Sequence, residues 1–72
     1  MTPNEADAYM SAHFLKQAKE YTELAERHLS LSKHVLPPEE RERYAKLAKG
    51  ETELAEQIRK LAKDFGDLAM RA

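Results

Sequence analysis

The chain has no cysteine and no tryptophan, only two glycines and three prolines in 72 residues, and no surplus of charge of either sign. Each shortage excludes something. Without cysteine there is no disulfide framework and no thiolate-bound metal. Twelve Lys and Arg against 13 Asp and Glu leave a net charge of -1 with His neutral. A nucleic-acid or anionic-membrane binder carries uncompensated cations that this balance lacks. No apolar run approaches the ~18 residues of a membrane span. The opening MTPNEADAYM carries acidic residues and no apolar stretch, so no secretory leader is expected and a cytoplasmic protein is. β-Branched residues are nearly missing too: Thr2, Thr22, Val35, Thr52 and Ile58 are the whole set. No segment alternates apolar and polar at period two, so no strand is expected.

Helix formers fill the space that remains. Thr2-Pro3-Asn4-Glu5 reads as a helix start: a capping threonine, proline at the first helical position, and a glutamate placed to complete a capping box. The break is Leu36-Pro37-Pro38-Glu39-Glu40. A residue before proline leaves the α region, so the first helix should stop near Val35. Pro38 can open the second helix, with Glu39 and Glu40 at its electropositive end. The expectation is an all-α chain in one domain spanning residues 1–72. Helix 1 covers about 3–35, and helix 2 about 38–70 runs back antiparallel after a connection of about two to four residues. Gly50 and Gly66 interrupt the composition of helix 2, but Leu54 and Leu68 keep its apolar register, so the helix should run through both.

Each helix carries a heptad seam. In helix 1 it is Met10, Phe14, Gln17, Tyr21, Leu24, His28, Leu31 and Val35; in helix 2 it is Tyr44, Leu47, Glu51, Leu54, Ile58, Leu61, Phe65 and Leu68. Beside each seam runs a stripe of small residues at seven-residue spacing: Ser11, Ala18, Ala25 and Ser32, then Ala48, Ala55, Ala62 and Ala69. Small residues let helix axes approach closely, so both stripes are expected to be packed faces. The two helices also resemble each other. Thr22-Glu23-Leu24-Ala25-Glu26 recurs as Thr52-Glu53-Leu54-Ala55-Glu56, and segments 14–35 and 44–65 share ten identities in 22 positions.

Large residues at two heptad positions and small ones at a third make an apolar band too wide for one hairpin to cover. A lone core of this size seldom supplies more than about 3–5 kcal/mol. Self-association is therefore expected, most simply as a twofold dimer of hairpins forming a four-helix bundle. The residues expected at interfaces are Met10, Phe14, Tyr21, Leu24, Leu31, Leu47, Leu54, Ile58, Leu61 and Phe65. Three seam positions are polar: Gln17, His28 and Glu51. Antiparallel pairing brings His28 near Leu47, Leu24 near Glu51 and Tyr21 near Leu54, so a Glu–His or Glu–Tyr contact is within reach. The role expected for these polar groups is to fix register. A metal at His28 and Glu51 is a weaker reading, because no histidine here follows a glutamate by three residues, as bundle metal sites require.

The charges fall mostly into oppositely charged pairs four residues apart: Lys16–Glu20, Lys19–Glu23, Glu23–Arg27, Glu39–Arg43, Glu42–Lys46, Lys49–Glu53, Glu56–Lys60, Lys60–Asp64 and Asp67–Arg71. They describe solvated outer faces. The densest basic stretch, Arg41, Arg43, Lys46 and Lys49, is diluted by Glu39, Glu40 and Glu42. It would serve a nucleic-acid-binding hairpin, which stands as the alternative reading. Asp64-Phe65-Gly66 matches a kinase tripeptide without the rest of a kinase around it. There is no phosphate loop or zinc-protease motif, and no serine triad is legible. The reading is a non-enzymatic protein–protein interaction module, an adaptor, regulator or inhibitor. It has no cofactor and no small-molecule substrate. Its partners are its own copy and another protein.

Overall fold

The computed structural model describes residues 2–34 and 37–71. It contains two helices, α1 (Pro3–Ser32) and α2 (Pro38–Met70), packed as an antiparallel hairpin. At the start of α1, the Glu5 N–H donates to Thr2 Oγ1 at 3.2 Å while Pro3 occupies the first turn. This fills one of the backbone donors that every helix N-terminus leaves open.

α1 ends earlier than the sequence reading places it. Its last helical residue is Ser32, and the connection begins at Lys33. The final turn tightens: Lys33 N–H donates to Ser30 O at 3.0 Å and His34 N–H to Leu31 O at 3.2 Å. Ser32 Oγ also donates to Leu29 O at 2.6 Å. These three-residue bonds satisfy the last carbonyls without continuing the helix. The proline rule constrains only the residue next to the proline, whereas reversing the chain needs several more. Val35 itself lies outside the described residues. α2 opens at Pro38 with Glu39 and Glu40 in its first turn. It then runs unbroken through Gly50 and Gly66 to Met70.

The core is made of alanine. The buried residues are Ala18, Ala25, Ala48, Ala55, Ile58 and Ala62, and Ala55 is fully inaccessible. Both small-residue stripes therefore lie between the helices. Each buried methyl contributes on the order of 0.8 kcal/mol, against about 1.5–3 kcal/mol for a buried leucine. The hairpin is held by close approach more than by side-chain volume.

That closeness lets polar groups bond across the seam. Ser11 Oγ donates to Ala62 O at 2.7 Å. Gly66 makes room for this: a Cβ there would stand 3.2 Å from Ser11 Oγ. The internal repeat is visible in the geometry too. Thr22 donates to Ala18 O at 2.9 Å, and its counterpart Thr52 donates to Ala48 O at 2.8 Å.

Candidate interaction face

Antiparallel helices in the same heptad phase are related by rotation about an axis normal to the hairpin's broad faces. Equivalent positions therefore emerge on the same face. Thr22 and Arg59 sit at equivalent heptad positions, and the Arg59 guanidinium donates to Thr22 Oγ1 at 2.5 Å on one broad face. On the opposite face lie the alternate seam positions: Met10, Gln17, Leu24 and Leu31 from α1, and Leu47, Leu54, Leu61 and Leu68 from α2. They form two parallel ridges. The four α2 leucines remain 38–46% exposed, and Leu31 is also exposed. Met10, Gln17 and Leu24 are half-buried.

Between the ridges runs a floor made by the other half of each seam. Phe14 stacks on Phe65, ring centroids 5.6 Å apart. His28 sits between Tyr44, 5.7 Å from ring to ring, and Glu51. His28 Nδ1 donates to Glu51 Oε1 at 2.5 Å. The two side chains keep 21% and 13% exposure, so the pair lies on the edge of the face rather than sealed inside it. Phe14, Tyr21, Tyr44 and Phe65 are half-buried in the same floor.

The seam thus divides in two. Ile58 is spent inside the hairpin. Phe14 and Phe65 are partly spent against each other, and the leucine ridges are left over. Leu47 points to this face and not toward α1, which is why His28 meets Tyr44 and Glu51 on either side of it. Gln17 stands in the α1 ridge, half-buried and apart from the His28–Glu51 pair.

The basic residues do not gather. Arg41, Arg43, Lys46 and Lys49 are all exposed and fan around the first turns of α2. Lys46 pairs with Glu42 at 3.5 Å. Of the nine pairs expected along the helices, this is the one within ion-pair distance among the described residues. Solvated side chains have little to gain from fixing such contacts. Among the described residues no group of three or more His, Cys, Asp or Glu could hold a metal. No helix among them is long and apolar enough to cross a membrane.

Sequence reasoning passed over three features. Tyr9, Leu15 and Leu29 are exposed apolar side chains outside both ridges, and Tyr9 stacks parallel on His13 with centroids 6.4 Å apart. The Ser11–Ala62 bond had one legible sign, a serine in a stripe otherwise mostly alanine. The Arg59–Thr22 bond had none, because nothing in its spacing separates Arg59 from its solvated neighbours. No protein family, curated protein or solved structure matches the chain.

Proposed function

We propose that this chain is a non-enzymatic protein–protein interaction module of the cytoplasm that works through its leucine face and associates with its own copy there. One observation carries the reading: five exposed leucines on one broad face, four of them at strict seven-residue spacing along α2. Contiguous apolar patches of this kind mark places where another surface docks.

The shape supports the same conclusion. The hairpin measures 54 × 14 × 12 Å, with a radius of gyration of 16.3 Å. A compact chain of 72 residues has about 11 Å. Its accessible surface is 5637 Å², roughly 1,000 Å² more than a compact monomer of this mass exposes. That excess is close to what one partner buries in a standard interface. With the leucine face covered, the opposite broad face and the charged outer faces remain for a second protein, as an adaptor, regulator or inhibitor requires.

Solution mass by light scattering over two decades of concentration, with circular dichroism on the same samples, tests this reading. The expected result is a helical dimer whose mass falls on dilution, and a Leu54→Glu variant that stays monomeric. A wild-type chain that is a helical monomer at every concentration would overturn it.

A further inference from the structure

The broad face opposite the leucines carries an open place of its own. Beside the Arg59–Thr22 bond runs a groove of ≈ 540 Å³, floored by Ala25 and Ala48 and walled by Leu29 and Glu53. We infer that this groove receives an arginine side chain from a partner protein. The inference rests on the proposed function only in giving that arginine to a second protein; the leucine face plays no part in it.

The internal repeat indicates the occupant. Rotation about the axis normal to the face sends each residue of α1 to the position thirty further on in α2, and the reverse. It maps the open half of the face onto the half that Arg59 occupies. Seven of the nine residues lining the groove recur there. Thr52 and Thr22 exchange places, Glu26 maps onto Glu56, Glu53 onto Glu23, Lys49 onto Lys19, and the alanine floor onto alanine. Two residues differ. Leu29 stands where the other half has Arg59, and Ala45 where it has Leu15. The open half therefore lacks a cationic side chain that crosses the groove, and its apolar wall is cut back to a methyl.

The closed half shows what such surroundings hold. Thr22 Oγ1 gives its proton to Ala18 O at 2.9 Å and accepts from the Arg59 guanidinium at 2.5 Å. Thr52 Oγ1 gives its proton to Ala48 O at 2.8 Å in the same way. A hydroxyl that has donated keeps lone pairs to accept with. Thr22 is half-buried beneath its arginine, and Thr52 is exposed.

The charges agree. Glu26 and Glu53 outnumber Lys49 in the lining, and among the described residues neither carboxylate is in an ion pair. Lys49 is no substitute for the arginine. Its equivalent, Lys19, stands in the closed half, and there the guanidinium is the group on the threonine. Arginine brings an aliphatic stem to cover Leu29 and Ala45, and a planar fork that serves a hydroxyl and a carboxylate together.

The test uses the full chain and follows its amide and methyl resonances by NMR as N-acetyl-arginine methylamide is added. The lysine and norleucine analogues are run alongside. Lysine has the cation without the fork, and norleucine has the stem without the cation. Saturable shifts are expected at Thr52, Ala48 and Glu53 with the arginine compound, binding about threefold weaker or less with lysine, and no saturation with norleucine. Thr52→Val keeps the shape, removes the acceptor and should weaken binding about tenfold. Leu29→Arg closes the groove from within and should abolish the shifts at position 52. Leu15→Ala together with Arg59→Leu gives the closed half the composition of the open one, and shifts should then appear at Thr22 as well. All four substituted residues are exposed, so the hairpin is kept. No saturable shift at Thr52, equal shifts with norleucine, or shifts unchanged by Leu29→Arg would overturn the arginine site and leave the leucine-face association standing. A monomeric mass at every concentration, with the arginine shifts intact, would overturn that association and leave the site.

Discussion

Leu54 and Ala55 are neighbours in sequence and opposites in role. Ala55 is fully inaccessible in the seam between the helices, and Leu54 stands 38% exposed on the leucine face. The smaller residue holds the hairpin together and the larger one is offered outward. This inverts the usual core, where volume is buried first. It follows from how two helices meet: alanine stripes bring the axes close, and close axes push neighbouring large side chains to the edge. The hairpin therefore buries its small residues and leaves most of its leucines at the surface, where the proposed association would use them.

Substitutions that separate the two regions follow, largest effect first. Ala55→Glu places a carboxylate at a fully inaccessible position of the seam, where an unpaired buried charge costs several kcal/mol. The helical signal by circular dichroism should be lost at all concentrations. A variant that stays helical would contradict the assignment of the seam as the core. Leu54→Glu, one residue away, probes the proposed association. Its dimer dissociation constant should rise about a hundredfold or more, the scale of a central interface residue, as read by analytical ultracentrifugation.

How much of this was legible beforehand can be seen in the same two residues. The seven-residue spacing of the alanines revealed a packed stripe, and the heptad spacing of the leucines revealed an apolar band. Periodicity cannot say which of two adjacent stripes faces the other helix, because both satisfy the same repeat. That division is set by axis separation, a tertiary quantity. Ile58 and Leu54 looked alike in sequence, and one is buried while the other is not. The His28–Glu51 contact was within reach of the sequence, since both are polar breaks in apolar seams at nearly the same height. The turn was less legible. Proline position bounds where a helix must have ended, not where the chain begins to reverse, so Lys33 and His34 were assigned to α1 and belong to the connection.

Two smaller effects sharpen the account. Glu51→Ala removes the acceptor of His28 and leaves its Nδ1–H to solvent at the edge of the face. A loss of about 1–2 kcal/mol is expected in urea unfolding, and a variant as stable as wild type would make the pair incidental. Ser11→Ala removes the donor to Ala62 O at the point where Gly66 leaves room for the serine. A loss of about 1 kcal/mol is expected. If Gly66 serves this bond, Gly66→Ala should destabilise as well, although alanine is the better helix former. A stabilised Gly66→Ala would show that the gap at Ser11 closes at no cost.

The most direct test of the central claim is thermal unfolding of the wild-type chain and of Leu54→Glu, followed by circular dichroism across two decades of concentration. Association stabilises by mass action, so a dimer melts at a temperature that depends on concentration. The wild-type melting temperature should rise with concentration, and that of Leu54→Glu should be lower and independent of it. A wild-type melting temperature that does not move with concentration would contradict the division between an alanine seam that folds the chain and a leucine face that joins it to its copy.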